Sequence, residues 1–134
     1  MTHRLTFDRP PKIRLHRALA GRGKRMGAGQ TVPRFEATIA RAPLSGIDAY
    51  RRVCGDPSTT GVPLAYPHIL AAPLHFAIVT HKAMPLPALG LVHVRNRITQ
   101  HAPLDPGKPL SLSVWCEGHT LARAGAEITL HTSA

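Results

Sequence analysis

The sequence predicts an α+β fold in which a sheet wraps around one apolar helix. The most apolar stretch of the chain, between Ala71 and Met84, has helical spacing of its apolar residues. Three later stretches alternate apolar and polar residues, which is the pattern of half-buried strands. Since no other predicted element can cover the sheet, this helix must pack against it.

The composition fits one globular domain with an aliphatic core. The chain has 134 residues, 43% of them hydrophobic but only 4% aromatic, and this length suffices to bury one core. No run approaches the roughly 20 apolar residues needed to cross a bilayer. We therefore expect no membrane association and a cytoplasmic location. Cys54 and Cys116 are expected to be buried or half-buried free thiols, because they form neither a close pair nor a disulfide framework.

The formal net charge of +10 is concentrated near the amino terminus. Eight of the 17 Lys and Arg residues lie in the first 25 positions, against one acid, Asp8. Residues 1–30 also contain Pro10-Pro11 and four glycines, a composition that buries too little apolar surface to order itself. We expect a mobile arm. Because Lys and Arg clusters bind phosphate backbones, nucleic-acid binding through this arm is one functional alternative.

Ordered structure is expected to begin near Val32. The first strand is predicted from an alternation that places Phe35, Ala37 and Ile39 on one face. The stretch from Leu44 to Arg52 predicts a short helix with Ser45 as its N-cap. The residues that this helix presents to the core are Ile47, Tyr50 and Val53.

The central helix is predicted between Ala71 and Met84. Its apolar face comprises Leu74, Ala77 and Ile78, with His81 next in the series. Pro73 suits the first turn, where a missing N–H costs nothing. Pro85 and Pro87 prevent the helix from continuing.

Three strands are predicted after this helix. They are Leu91–His101, Leu110–Cys116 and the stretch from Ala126 to His131. Between the first two, Asp105-Pro106-Gly107 predicts a type II turn with Gly107 at positive φ. Such a turn would pair these two strands antiparallel.

Four segments together resemble a known family. They are AYRRVCGD, the lead-in to the central helix YPHILAAPLHFAIV, the strand LGLVHVRNRI and the turn and strand PLDPGKPLSLSVW. This set is similar to the N-terminal half of the MaoC-like acyl dehydratases, two-part hot dog proteins that include R-specific enoyl-CoA hydratases and 3-hydroxyacyl-thioester dehydratases. The resemblance implies an arm at residues 1–30 and a hot dog domain at residues 31–134, with an antiparallel sheet around one central helix. Because the sequence stops directly after a strand, we expect this hot dog to be truncated at its carboxyl end.

The catalytic pair of that family is incomplete here. The family uses an Asp and a His, spaced D-x4-H before the helix, to add water to an enoyl thioester or to remove it. Asp56 stands at the Asp position, but Gly61 occupies the His position. The resemblance therefore implies the non-catalytic half, which helps to bind the acyl chain. Asp56 and His68 remain as catalytic candidates, and an active hydratase that uses His68 or His93 is the alternative.

Six residues are expected to contact a thioester substrate: Tyr66, His68, His93, Arg95, Asn96 and Arg97. His68 directly precedes the central helix and could instead hydrogen-bond a loop carbonyl. Arg95 and Arg97 share one strand face and could hold the phosphates of coenzyme A or of phosphopantetheine, or could form a solvated face. Asn96 points to the apolar face, where it needs a partner or belongs to a binding groove.

The expected ligands and partners follow from the same resemblance. The substrate would be acyl-CoA or an acyl carrier protein thioester, with no further cofactor. His68, His75 and His81 are spaced too widely for a zinc site, so no metal is expected. Because an isolated hot dog would expose an edge strand, we expect a homodimer or a catalytic hot dog partner subunit.

Overall fold

The computed structural model describes residues 1–123 and 125–134. Within these residues the fold is mixed α+β, which is consistent with a hot dog fold. The elements in chain order are β1 Thr2–Phe7, α1 Leu15–Ala20, β2 Arg34–Ala42, α2 Ile47–Cys54, α3 Tyr66–Val79, β3 Leu110–Cys116, β4 Thr120–Ala122, β5 Gly125–Glu127 and β6 His131–Ser133. No helix in the described part of the chain is long and apolar enough to span a membrane.

The main sheet has four strands in the order β1-β2-β3-β6. β2 and β3 pair antiparallel, with Phe35 opposite Cys116 and Ile39 opposite Leu112, and β6 pairs antiparallel with β3. β1 runs parallel to β2, so the sheet is mixed rather than purely antiparallel as expected. β4 and β5 form a separate two-stranded hairpin.

The core lies between α3 and the two central strands, β2 and β3. Leu74 and Ile78 of α3 are one turn apart and fully buried in one cluster with Phe35, Ile39 and Leu112. Burial of each such side chain contributes about 1.5 to 3 kcal/mol. β2 and β3 were both predicted, and the alternation of β3 is confirmed, since Leu110, Leu112, Val114 and Cys116 are all buried.

The amino-terminal residues are not the mobile arm that the composition indicated. β1 adds a strand to the sheet, and its Leu5 and Phe7 pack against the core. Further along, the Lys24 Nζ donates hydrogen bonds to the carbonyls of His81 and Met84, at 3.2 and 2.9 Å. Composition did not predict β1, because only Leu5 and Phe7 alternate there with polar residues. Nor does composition predict that the Lys24 ammonium hydrogen-bonds these carbonyls.

The two predicted helices are present with shifted ends. α3 begins at Tyr66 rather than Ala71, so Pro67 occupies the first turn and Pro73 lies inside the helix. α2 begins after Gly46, which has a left-handed φ of 91°. Ser45 therefore does not serve as the N-cap.

The carboxyl end of α2 is more exposed than predicted. Val53 is 87% exposed, because only the first turn of α2, at Ile47, reaches the core. Cys54 is also exposed, whereas Cys116 is buried, and both are free thiols.

The predicted strand Leu91–His101 is absent, since residues 91–100 have no regular secondary structure. A strand requires a neighbour to hydrogen-bond, not only an alternating pattern. β3 already has β2 on one side and β6 on the other. β6 therefore takes the position beside Ser113, Val114 and Trp115 of β3 that the predicted strand would have needed.

The turn that follows also differs from the prediction. Gly107 is not among the glycines with positive φ, so the turn is not type II. Instead the Asp105 carboxylate accepts the Gly107 N–H at 2.8 Å, and the Lys108 N–H donates to the Asp105 carbonyl at 3.2 Å. Asp directing its own turn in this way is common.

The third predicted strand is divided. Its first part belongs to β5 and its end to β6, with Ile128 to Leu130 between them. Ile128 and Leu130 still pack against the core. The apolar alternation therefore predicted the packing of Ile128 and Leu130 correctly, but it did not predict that the stretch is divided between two strands.

Candidate functional site

A groove of about 1580 Å³ lies beside the outer face of α3. One side is formed by α3, and the opposite side by residues 91–102, which we call the wall segment. Trp115 of β3 and the residues from Glu127 to Ala134 complete it. The volume exceeds the roughly 300 to 1000 Å³ of ordinary small-ligand pockets, so a long ligand can be accommodated.

Apolar side chains form much of the groove. From α3 they are Phe76 and Val79, from the wall segment Leu91, Val92, Val94 and Ile98, and beyond it Leu104, Ile128 and Leu130. Several of them are poorly covered, since Val92 is 79% and Val94 66% exposed. An exposed apolar lining of this kind is typical of a surface that binds a ligand or a partner.

Three histidines meet in the groove. His68 and His75 lie seven residues apart, hence on one face of α3, with ring centroids 5.1 Å apart. His93 of the wall segment faces His68 at 6.1 Å. Within the described residues, no group of three His, Cys, Asp or Glu side chains is arranged to hold a metal ion.

His75 is the most strongly perturbed of these histidines. Burial, followed by repulsion from His68 and His93, lowers the pKa of His75 from 6.5 to about 4. Its Nε2 is hydrogen-bonded to the Thr132 Oγ1 of β6 at 2.8 Å. At neutral pH the imidazole is therefore neutral and held in one orientation.

The wall segment is attached to the rest of the molecule by few polar contacts. The Arg95 guanidinium donates to the Glu127 carboxylate at 3.1 Å, with Arg95 81% exposed, and such surface pairs contribute at most about 1 kcal/mol. His93 Nε2 is hydrogen-bonded to the Arg95 carbonyl at 2.9 Å within the segment itself. Among the described residues, no backbone-to-backbone hydrogen bond involves residues 92–101.

Five of the six predicted substrate-binding residues line the groove: His68, His93, Arg95, Asn96 and Arg97. Asn96 is exposed, so it needs no buried partner, contrary to the prediction from strand alternation. Because the wall segment is not a strand, the expected division of Arg95 and Arg97 from Asn96 onto two faces does not hold.

Tyr66 is the sixth predicted residue, and it lies outside the groove lining. Its side chain is 4% exposed, and burial raises its pKa. The hydroxyl donates to the Ser45 carbonyl, and the ring contacts Tyr50 edge to face at 5.3 Å. Tyr66 thus fastens the start of α3 to the loop before α2.

Asp56 also lies outside the groove lining. Its carboxylate accepts the Ser58 N–H at 2.8 Å, and this hydrogen bond lowers its pKa. The Gly61 carbonyl, where the family pattern has His, accepts a hydrogen bond from Arg51 at 2.6 Å. Asp56 and Gly61 both stabilise the loop between α2 and α3.

Most residues of the groove lining were not predicted as site residues, and three of these make specific side-chain contacts. They are Trp115, which stacks on His131 with centroids 5.2 Å apart, and the hydrogen-bonded pair His75 and Thr132. The seven-residue spacing of His68 and His75 is the one local signal of their proximity, because it places them on the same face of a helix. Thr132 comes from the far end of the chain, and no local pattern links it to α3.

Comparison with known proteins supports a dehydratase relationship. No protein-family profile matches the sequence, and no solved structure matches it. The chain is 30% identical over 121 residues to 3-hydroxyacyl-thioester dehydratase X of Mycobacterium tuberculosis (strain ATCC 25618 / H37Rv). The similarity covers 89% of this chain and 43% of the relative, so the chain spans less than half of that protein. It supports an acyl-dehydratase-type relationship for the chain without identifying the subfamily.

Proposed function

We propose that this chain is an acyl-thioester-binding hot dog domain of an acyl dehydratase or enoyl-CoA hydratase, of MaoC-like type. The reaction would interconvert a 3-hydroxyacyl thioester with a trans-2-enoyl thioester and water, and this domain would bind the acyl chain rather than catalyse. The groove beside α3 carries the proposal, because it combines a long apolar lining with polar groups.

The apolar lining suits an acyl chain. Phe76 and Val79 on α3 face a volume also bounded by Ile128 and Leu130. Each methylene that leaves water for such surroundings gains about 0.8 kcal/mol. Affinity should therefore increase with acyl-chain length until the groove is filled.

The polar groups of the groove suit the carrier end of a thioester. Arg97 has no ion-pair partner within residues 1–123 and 125–134, and Arg95 is held only by an exposed pair with Glu127. Both guanidinium groups can therefore bind the phosphates of coenzyme A or of a carrier protein's phosphopantetheine. His68 can hydrogen-bond the pantetheine amides, and so can the Nδ1 of His93, whose Nε2 is bonded to the Arg95 carbonyl.

A binding role is favoured over a catalytic one by the loop before α3. Asp56 is engaged in its own turn by Ser58, and no histidine stands at Gly61. The two groups of the family's acid-base pair are thus not assembled in that loop.

Pairing with a second hot dog, either another copy or a catalytic subunit, is part of the proposal. The wall segment has a strand-like sequence, an unpaired backbone and exposed Val92 and Val94, which is the kind of edge that other strands bind. Analytical ultracentrifugation tests this point. A stable monomer throughout the micromolar range would refute self-pairing.

Fluorescence of Trp115 offers the binding test, because it is the single tryptophan and lies in the groove. We expect acyl-CoAs to change its emission, with affinity rising up to about fourfold per methylene. Phe76→Ala should weaken binding about tenfold. Ile69→Ala is the matched control, since Ile69 is on α3 but 49% exposed and outside the groove lining.

Two results would contradict the proposal. One is no change in Trp115 emission with millimolar acyl-CoA of any chain length. The other is equal weakening by Phe76→Ala and Ile69→Ala. The chain-length series on the wild-type protein needs no variant, so it remains informative if Phe76→Ala fails to fold.

A second candidate function is hydration by this chain itself. His68 and His93 favour it, because their rings face each other in the groove at 6.1 Å, where either could act as the general base on a bound substrate. Loss of enoyl absorbance from a trans-2-enoyl-CoA would report activity. Activity that is absent at high protein concentration, or unchanged in both His68→Gln and His93→Gln, would exclude these two histidines as the base.

A further inference from the structure

A second pocket, of about 590 Å³, lies at one end of the main sheet. β1 and β2 are parallel, with Phe7 opposite Ile39, so their carboxyl ends lie at the same end of the sheet. β3 is antiparallel to β2, with Leu110 opposite Ala42, so its amino end lies there too. This pairing brings Arg9, Arg41 and Lys108 to one pocket although they are far apart in sequence.

The frame of the pocket is stiff. Four of its lining residues are Pro10, Pro43, Pro106 and Pro109, and proline fixes φ near −65°. The pairing of β2 with β3 is irregular between Ile39 and Ala42. Such irregularities redirect side chains, and Arg41 lies within this one.

The charge of the pocket is not balanced by the surrounding residues. Its lining contains three cations and one carboxylate, Asp8. The nearby Asp105 carboxylate pairs with Lys108 at 3.6 Å, but both side chains are more than half exposed, so this pair is easily exchanged. Within residues 1–123 and 125–134, neither Arg9 nor Arg41 forms an ion pair.

We infer that this pocket binds the phosphate groups of a small molecule. Two unpaired guanidinium groups offer the planar donor forks that match phosphate oxygens, and Lys108 adds a third positive charge. Because the proline-rich backbone of the pocket is stiff, the ordering on binding is confined mainly to the exposed side chains of Arg9, Arg41 and Lys108. The inference does not depend on the proposed function, since the two pockets share no lining residue.

Titration with inorganic pyrophosphate, and separately with ADP, tests the inference. In wild-type protein followed by NMR, we expect the amide shifts to be concentrated at Arg9, Arg41 and Lys108. Arg9→Gln/Arg41→Gln should weaken pyrophosphate binding at least about tenfold by calorimetry. Arg22→Gln/Arg52→Gln is the matched control, because it removes two exposed positive charges outside the pocket.

Each outcome decides the question. Tighter binding of ADP than of pyrophosphate would support a nucleotide ligand, and equal binding would support recognition of the phosphates alone. Equal weakening in both double variants would mean that only net charge acts, which overturns the inference. NMR shifts that are dispersed or absent at millimolar pyrophosphate would also overturn it. Single-stranded DNA that binds the protein and is not displaced by pyrophosphate would overturn it as well. The NMR result needs no variant.

Discussion

Replacing His75 with Gln should make the stability of the protein less sensitive to acid. His75 lies between α3 and β6, where its ring is hydrogen-bonded to Thr132. Burial first, and then His68 and His93, lower its pKa to about 4. Gln retains a polar group that can contact Thr132, but it cannot be protonated.

The direction of the effect follows from proton linkage. The unfolded chain binds a proton at His75 near pH 6.5, whereas the folded protein does so only near pH 4. The unfolded state therefore gains protons first as the pH falls. The contribution of neutral His75 is fully present above pH 6.5 and is lost progressively as the pH falls to about 4.

The magnitude can be bounded. At about 1.4 kcal/mol for each pH unit, lowering the pKa from 6.5 to about 4 corresponds to roughly 3 kcal/mol. His75 is only half-buried, and solvent screening reduces such values. We therefore expect about 1 to 2 kcal/mol of the stability lost between about pH 7.5 and pH 4 to depend on His75.

Urea denaturation at several pH values, followed by circular dichroism, measures this difference. The free energy of unfolding should decrease more in the wild type than in His75→Gln. His16→Gln is the control, because His16 is exposed on α1, and it should behave as the wild type does. If wild type and His75→Gln lose the same free energy between these pH values, the assignment of a half-buried His75 with a lowered pKa is refuted.

Three further predictions concern the core, the amino-terminal segment and the thiols. Leu74→Ala should lower the free energy of unfolding by about 2 to 5 kcal/mol through a core cavity, whereas a loss below about 1 kcal/mol would mean that Leu74 is not fully buried. Lys24→Met should cost about 1 to 3 kcal/mol, because the carbonyls after α3 lose their donor; stability equal to the wild type would show that this contact is not formed. A thiol reagent should label exposed Cys54 in the native protein but label Cys116 only after unfolding, since burial raises the pKa of Cys116 to about 11; rapid labelling of both native thiols would contradict the fold.

The central part of the fold was predictable because its patterns are local and its partners are strong. β3 alternates over its whole length, and every inward residue is buried. β1 was missed because its inward residues, Leu5 and Phe7, stand among charged ones and become buried only through β2. A strand is predictable when its own alternation shows which residues are buried. It is missed when a distant part of the chain supplies the surface that buries them.

Sequence reasoning named five residues that line the groove, but it did not give the geometry of the groove. The family resemblance points to His68, His93, Arg95 and Arg97 as substrate-binding residues, and these four residues line one groove. The resemblance also points to Tyr66, yet this residue is buried at the start of α3, where its hydrogen bond to the Ser45 carbonyl fastens the helix to the loop before α2. His75 and Thr132 depend on β6 returning beside α3, a long-range contact that no sequence spacing specifies.

The wall segment has the sequence pattern of a strand, but no described strand pairs with it. Val92, Val94 and Ile98 alternate with polar residues, interrupted only by Asn96 in the apolar phase. An alternating sequence is favourable only when one face is covered, and Val92 and Val94 are largely exposed. The proposed functions of the groove and of the edge would each supply that cover, the first with an acyl chain and the second with a strand of a partner. Amide hydrogen exchange of residues 91–101 separates them, because a pairing strand protects alternate N–H groups, whereas an acyl chain covers side chains and leaves the backbone exchanging.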